Sequence, residues 1–276
     1  MQVKVVINAD DLGFSQGVTD GILRAHHQGI LTSATLMTTM PDRDRAIDLA
    51  KSTPALGVGI HLCLNQGTTC SGKLQYLCNN SDVFDRRISR LLWRLTVRPK
   101  CLEEVKREWA EQIKYALDRG IKPTHLDSHK HVYNIPSLGK IAIALALEFG
   151  IPGMRCAAES HIVNMPAPGL GRRIVSGCAR KLKSQMNAAG LKTTDWFYGL
   201  ASTGRMSSIT WLKLLDALPE GIGEVMVHPG YAQGLTLADT YLIKQRQTEL
   251  DALCDPAVKR KIQSKGVQTI HYGQID

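Results

Sequence analysis

The sequence predicts an α/β fold in which parallel strands are covered by helices. Short apolar segments typical of strands alternate with amphipathic segments typical of helices along nearly all of the 276 residues. No Pro-, Gly- or Ser-rich linker and no change of composition divides the chain, so we expect a single domain. A chain of this length can form one α/β barrel. In such folds the functional side chains gather at the carboxyl ends of the strands.

Each element rests on a local pattern. Runs of apolar and β-branched residues predict strands at 4–8, 32–39, 56–62, 124–128, 153–156, 224–228 and 267–272. Helical spacing of apolar residues predicts helices at 16–28, 42–51, 102–117, 137–149, 207–218 and 237–252. Ser15 is placed to cap the first of these helices. We expect an irregular insertion at about 64–100.

Composition and cysteine usage exclude several classes of protein. The chain has no stretch of about 18 uncharged apolar residues, so no transmembrane helix is expected. The N-terminal segment lacks the long apolar core of a signal peptide. The 7 cysteines are scattered and form no Cys-x-x-Cys pair, which argues against a disulfide framework and a zinc ribbon. We therefore expect a cytoplasmic protein.

The net charge of +9 is unevenly distributed. Arg86, Arg90, Arg94 and Arg98 recur every four residues with apolar residues between them, which predicts a helix with a basic stripe. One interpretation is peripheral membrane contact through this 86–98 helix, or attraction to an anionic substrate. We favour the other, a solvated face on a helix that packs on the domain. The basic segments show no recognisable nucleic-acid-binding module, so no nucleic acid partner is expected.

Titratable side chains stand at the ends of several predicted strands. Asp10 and Asp11 close the strand in "VVINADDLGFS", and adjacent buried carboxylates require a positive partner. "LGVGIHL" ends near His61, and "EVMVHPGY" contains His228. If the strands are parallel, these groups converge, and carboxylates with imidazoles suit a divalent cation. Any one motif alone is also compatible with a polar turn or a hydrogen-bonded histidine.

The segment "THLDSHKHVY" is the most specific of these motifs. In an extended strand His125, Asp127, His129 and His131 share one face, so any of them could reach a metal ion. A ligating histidine usually donates its other N–H to a carboxylate, and Asp127 is a candidate for that bond. We place His125 and Asp127 behind the ligands and leave the role of His131 open.

Four motifs together resemble one family. "NADDLGFSQGVTDGI" at 8–22, "GIHL" at 59–62, "THLDSHKHV" at 124–132 and "HPGY" at 228–231 are similar in order and separation to those of the YdjC-like (ChbG/HpnK family) carbohydrate deacetylases. The resemblance implies a distorted (β/α) TIM-like barrel like that of the polysaccharide deacetylases. It also implies one divalent metal ion and removal of an N-acetyl group from an amino sugar or oligosaccharide, of chito-oligosaccharide type or lipid-linked.

The resemblance also implies residue roles. It makes Asp11, His61 and His129 the metal ligands, Asp10 the catalytic base, His228 the general acid and Arg155 a substrate-binding residue. Mg²⁺ is the favoured ion, with Zn²⁺ or another divalent ion as alternatives. The expected reaction uses a metal-activated water, whose proton passes to the base while the acid protonates the leaving amine.

Two other classes of function remain open on the sequence. A metal-dependent phosphohydrolase or nuclease on a barrel would use similar ligands, and the positive net charge would suit its substrate, but more carboxylates would be expected. A non-catalytic lipid- or partner-binding protein would leave the Asp and His motifs unexplained. The expected partner is an N-acetylated sugar. The sequence leaves the oligomeric state open and is compatible with a homodimer.

Overall fold

The computed structural model describes residues 3–276, which contain one curled, parallel β-sheet surrounded by helices. The strands of this described part are β1 (Lys4–Leu12), β2 (Ser33–Leu36), β3 (Gly57–Leu62), β4 (His125–Ser128), β5 (Gly153–Met154), β6 (Trp196–Tyr198), β7 (Ile222–Val227) and β8 (Gln268–Ile270).

The sheet has the strand order β5-β4-β3-β2-β1-β7-β6, with β8 added beside β1, and every pairing is parallel. β1 is central, and its residues are buried on both faces, as is usual for a parallel sheet covered by helices. The sheet curls into an incomplete barrel, which confirms the predicted TIM-like α/β class. All carboxyl ends of the strands therefore lie at one end of the sheet.

Helices follow most of the strands and cover the sheet. They are α1 (Gln16–Gln28), α2 (Arg43–Lys51), α3 (Gln75–Cys78), α4 (Ile88–Val97), α5 (Cys101–Leu117), α6 (Pro136–Glu148), α7 (Leu170–Ala188), α8 (Ser208–Asp216), α9 (Lys244–Leu253) and α10 (Pro256–Ser264). Ser15 caps α1 as predicted, because its hydroxyl accepts a hydrogen bond from the backbone N–H of Val18. None of the helices within residues 3–276 has the length and apolar character needed to cross a bilayer.

The predicted helix at 237–252 is wrong in its first half. The structure begins α9 only at Lys244 and forms turns before it. Thr236 explains the difference, because its backbone N–H and hydroxyl both donate to the Asp239 carboxylate, at 2.9 and 2.7 Å. Such local side-chain bonds compete with the helical ladder. Sequence periodicity also missed α10 and the three-residue β6, which is too short to show a pattern.

The segment at about 64–100 contains α3, α4 and turns. The carboxylate of Glu104 accepts hydrogen bonds from the first backbone N–H groups of α3, which fixes this segment against α5. The predicted basic stripe on α4 is not a uniform exposed face. Arg94 is buried and donates to the carbonyl of Leu77 at 2.5 Å, and Arg90 pairs with Asp85 at 2.7 Å. These contacts are those of a helix packed on the domain.

Candidate metal centre and active site

The carboxyl ends of the strands bring the candidate site residues together. Asp10 and Asp11 lie near the carboxyl end of β1, and His61 is the penultimate residue of β3. Three further candidates follow directly after strands: His129 after β4, Arg155 after β5 and His228 after β7. Because the strands are parallel, all of these side chains lie at the same end of the sheet, as the sequence motifs predict.

A β-bulge allows two adjacent aspartates to serve one site. Ala9 pairs with Ala34, and the next paired residue, Leu12, is opposite Leu36, so two residues of β1 stand against one of β2. Asp11 also adopts a left-handed backbone conformation with φ 71°. In a regular strand neighbouring side chains point to opposite faces. The bulge removes this alternation, so both carboxylates reach the end of the sheet.

Asp11, His61 and His129 form the group that best fits a metal ion. Asp11 Oδ1 lies 3.6 Å from His61 Nε2 and 3.3 Å from His129 Nδ1. The candidate ligand atoms of the three residues all lie within 4.8 Å of one another. Asp11 Oδ1 is buried and accepts no hydrogen bond from any residue between 3 and 276. A free carboxylate oxygen facing two imidazole nitrogens is a donor set suited to a divalent cation.

A second group, Asp10, His61 and Asp127, is equally compact but fits a metal less well. Arg155 donates to both oxygens of Asp10, at 2.9 and 2.6 Å, and lies 2.7 Å from Asp127 Oδ2. The other oxygen of Asp127 lies 2.7 Å from His61 Nδ1. These carboxylate oxygens already have positive or N–H partners, so they are less free to bind a cation than Asp11 Oδ1 in the first group.

Asp127 orients His61, as the sequence motif suggests. The bond between Asp127 Oδ1 and His61 Nδ1 leaves Nε2 facing Asp11, and Thr35 Oγ1 donates to Asp127 Oδ2 at 3.0 Å. Burial alone would lower the pKa of His61, but Asp127, with Asp10 and Asp11, raises it to about 9. The carboxylates around this imidazole therefore favour positive charge in the centre of the site.

Arg155 was expected to bind substrate. In the structure it is buried beneath the site, and its side chain has no exposed surface for that contact. Its guanidinium contacts the carboxylates of Asp10, Asp127 and Glu224, the last at 2.7 Å from Nε, and it is 0% exposed. Burial alone would raise the pKa of Asp10, but the charge and hydrogen bonds of Arg155 hold it well below its usual range. Arg155 therefore holds Asp10 ionised and in a fixed orientation.

His228 stands beside Asp10 on the cavity side. Its Nε2 lies 3.9 Å from Asp10 Oδ2, and its backbone N–H donates to Glu249 Oε2 at 2.6 Å. Burial lowers the pKa of His228 to about 4, so its imidazole is neutral at pH 7 in the free protein. At 3.9 Å the imidazole and the carboxylate are neighbours but do not share a hydrogen bond.

The expected alternation through "THLDSHKHVY" ends at Ser128. Lys130 and His131 have φ values of 53° and 55°, so the chain turns and His131 does not continue the face of the strand. His125 does point to the same face as Asp127, but it lies two residues earlier in β4 and therefore farther from the carboxyl end of the strand. Its ring stacks on Tyr272 at 3.8 Å, and its Nδ1 lies 3.0 Å from Thr124 Oγ1. Within residues 3–276 it forms no hydrogen bond with the three candidate ligands, so its expected supporting role behind them stays a prediction.

A cavity of about 360 Å³ opens over these side chains. Its floor contains Asp10, Asp11, His129 and His228, and its walls are formed by cationic and apolar side chains, among them Phe14, Arg86, Lys130, Arg172, Leu200, Met226 and Leu237. The side chains of Arg86, Lys130 and Arg172 donate hydrogen bonds to the backbone carbonyls of Asp239, Arg86 and Ala201, respectively. The cavity has the size of a small-molecule site with few polar groups at its base.

Two residues of α9 at this site were missed by the sequence analysis. Arg246 Nη2 lies 2.5 Å from Asp11 Oδ2, and Glu249 accepts the backbone N–H of His228. Both side chains are buried. In the sequence they belong to a charged helical segment, and no sequence pattern distinguishes the charged residues that face the protein interior from those that face solvent. Their three-residue spacing, which puts both on one helix face, was the only signal.

Comparison with known proteins agrees with the fold and with the motifs. A family model described as "YdjC-like protein" matches residues 4–264. A carbohydrate deacetylase of Brevibacillus brevis is 31% identical over 274 residues, covering 99% of this chain and 100% of the relative. A carbohydrate deacetylase of Geobacillus stearothermophilus is 31% identical over 271 residues, covering 98% and 97%. A solved structure from Enterococcus faecalis V583, assigned to cellobiose-phosphate cleavage, superposes with a TM-score of 0.77 at 27% identity, covering 99% of this chain and 98% of that one.

Proposed function

The chain belongs to the YdjC-like family, and from this premise we propose that it is a carbohydrate deacetylase, a hydrolase that removes the N-acetyl group from an amino sugar or oligosaccharide. The observation that carries the proposal is the convergence of Asp10, Asp11, His129 and His228 on the floor of one cavity, with His61 buried against Asp11 just beneath it. The relatives that match over their whole length are named carbohydrate deacetylases. The volume of the cavity is that of a site for a small molecule such as a sugar.

Asp11, His61 and His129 are the residues that would hold a divalent cation. Such an ion, when bound, lowers the pKa of water and polarises a carbonyl oxygen. The family resemblance favours Mg²⁺, whereas two imidazole nitrogens suit Zn²⁺ or another transition ion better than Mg²⁺, which prefers oxygen. Metal analysis of the purified protein decides between these ions.

Asp10 is the proposed base. Its carboxylate is ionised, lines the cavity and cannot rotate away, because Arg155 holds both of its oxygens from below. An amide carbon is attacked by water only when the proton of that water is taken up, and a fixed carboxylate beside the cation site can accept it. The adjacent aspartates therefore have separate roles, one toward the ion and the other toward the attacking water.

His228 is the proposed acid, and its neutral resting state defines how it acts. An amine leaves an amide only when it is protonated, so a proton must reach the leaving nitrogen. We infer that the proton taken by Asp10 passes through a bridging water to His228 Nε2, 3.9 Å away, and from there to the amine. Negative charge that develops on the substrate beside the imidazole favours its transient protonation. The number of protons is conserved, and both groups return to their starting states.

A substrate screen tests the proposed reaction directly. With N-acetylglucosamine, N,N′-diacetylchitobiose and longer chito-oligosaccharides, we expect at least one substrate to lose one acetyl group, seen as equal amounts of acetate and free amine.

The cations Arg86, Lys130 and Arg172 also suit an anionic substrate, so a metal-dependent phosphohydrolase is the second candidate. Phosphate release from monoesters or nucleotides, with no acetate from any of the sugars, would favour that candidate.

The His228→Ala variant is expected to separate amide from ester substrates. It should lose about 10²- to 10⁴-fold in kcat on the acetylated amino sugar, because its amine needs a proton to leave. On p-nitrophenyl acetate the loss should be small, since nitrophenolate leaves as an anion. The comparison uses one enzyme preparation, so folding and metal content are identical for both substrates. Equal losses on the two substrates would assign His228 to binding or to structure.

A further inference from the structure

We propose that Arg246 is a positioning residue that holds one oxygen of Asp11 so that the other faces the two imidazoles. Arg246 Nη2 contacts Asp11 Oδ2 at 2.5 Å, and Arg246 Nε donates to the carbonyl of Leu242 at 3.1 Å. The side chain is 1% exposed. Its guanidinium is thus fixed both to the carboxylate and to the backbone just before its own helix. This inference rests on the proposed role of Asp11 as a metal ligand.

The two oxygens of Asp11 have different surroundings. Oδ2 is occupied by Arg246, whereas Oδ1 is the buried oxygen with no hydrogen bond from residues 3–276 and lies 3.6 and 3.3 Å from nitrogens of His61 and His129. A carboxylate that is free to rotate can offer either oxygen, or both, to a cation. The contact with Arg246 removes this freedom. Residues behind the ligands orient metal sites in this way.

Close packing fixes the stem of Arg246. A Cβ added to Gly21 on α1 would lie 2.5 Å from the Cα of Gly230, so α1 and the turn after β7 are in direct backbone contact. A Cβ at Gly230 would lie 3.3 Å from Arg246 Cδ, and the Gly230 N–H donates to the Arg246 carbonyl at 3.2 Å. The aliphatic part of the Arg246 side chain therefore packs against Gly230, in space that a larger side chain at that position would occupy. The guanidinium reaches Asp11 along a path with little room for another rotamer.

α9 contacts both sides of the site through residues one turn apart. Arg246 contacts Asp11, while Glu249 accepts the backbone N–H groups of His228 at 2.6 Å and of Met206 at 3.3 Å. The positions of the proposed ligand and of the proposed acid are therefore set by one helix. This arrangement predicts that a change at Arg246 alters metal binding without changing a ligand atom.

Two substitutions and one control test the proposal. Arg246→Met keeps much of the apolar stem but removes the charge and the N–H donors, and Arg246→Lys keeps the charge but not the planar fork. Lys244→Met is the matched control, because Lys244 is exposed on the same helix. The Kd of each folded apo-protein for Zn²⁺ is measured by competition with a chromogenic chelator, and circular dichroism with thermal unfolding verifies the fold.

We expect Arg246→Met to raise the Kd for Zn²⁺ by 10- to 100-fold, the usual scale for losing a group that orients a ligand. Arg246→Lys should raise it by less, Lys244→Met should not change it, and kcat should fall more than KM rises. A Kd within twofold of the wild type in either folded Arg246 variant, or a lower Kd, would overturn the proposal. If Arg246→Met does not fold, the Arg246→Lys result decides.

Binding of Zn²⁺ is measured without substrate, which separates this inference from the proposed function. If Asp11→Ala loses Zn²⁺ binding while both Arg246 variants keep it, the metal site stands and only the role of Arg246 is rejected. If Asp11→Ala binds Zn²⁺ as the wild type does, the proposed ligand set itself is wrong.

Discussion

Replacing Asp11, His61 or His129 with alanine is expected to remove most of the bound metal and to lower kcat/KM by about 10³-fold or more. Three protein ligands leave no redundancy, and the electrostatic stabilisation that a cation gives a developing oxyanion amounts to several kcal/mol, or about tenfold in rate for each 1.4 kcal/mol. Metal content is measured by elemental analysis of each purified variant, and activity is measured as acetate release from the substrate found in the screen.

His131→Ala is the matched control for these three variants. His131 is an imidazole two residues from His129 that lines the same cavity, but its ring lies edge-on to Phe197 with centroids 6.3 Å apart. Its loss should leave the metal content at the wild-type level. Full metal occupancy in the alanine variant of Asp11, His61 or His129 would remove that residue from the ligand set.

Asp10→Asn is expected to keep the metal but to lower kcat by about 10²- to 10⁴-fold on amide and ester substrates alike. The amide cannot take a proton from water at neutral pH, and its NH₂ group would face the N–H donors of Arg155, which now meet two carboxylate oxygens. No atom of the proposed ligand set changes. The measurement is steady-state acetate release together with metal content of the same sample.

Asp239→Asn serves as the control for Asp10→Asn, because its carboxyl group belongs to the cavity wall but contacts Thr236 and not the ligands. It should retain activity within a few-fold. A wild-type rate in Asp10→Asn would reject the proposed base. Loss of metal from that variant would show that the roles of the two adjacent aspartates are reversed.

The positions of the site residues could be predicted because parallel strands impose them. Asp10, Asp11, His61 and His228 all follow apolar runs, and any parallel arrangement of those runs brings their ends together. The pairing of Asp127 with His61 follows from the same rule, since β3 and β4 are neighbours and the two residues are register partners. Local pattern and sheet geometry were sufficient for this part of the site.

Other features depend on contacts that a sequence pattern does not contain. The bulge that turns Asp10 and Asp11 to one end of the sheet is a property of the pairing between β1 and β2. The turn at Lys130 and His131 breaks an alternation that would continue in an ideal strand. Arg155 is followed by ordinary apolar residues, and its burial among three carboxylates arises only when β5 is placed beside β4.

Arg246, on helix α9, is another residue whose partner could not be predicted from the sequence. It is 235 residues from Asp11 in the sequence, and α9 shows no apolar stripe that would mark its inward face. The close approach of α1 to the turn after β7 and the bond to the Leu242 carbonyl direct its guanidinium toward the site. Long-range ion pairs of this kind are fixed by tertiary packing, so a single sequence indicates the charges but not their partners.

We propose that one cation, held by Asp11, His61 and His129, supports the removal of an acetyl group. The most direct test is a titration of metal-free protein with the ion found by metal analysis, with bound metal and acetate release measured in the same samples. The rate should rise in proportion to occupancy and reach its maximum at about one ion per chain. Full acetate release from metal-free protein, or a maximum reached only at two ions per chain, would contradict it.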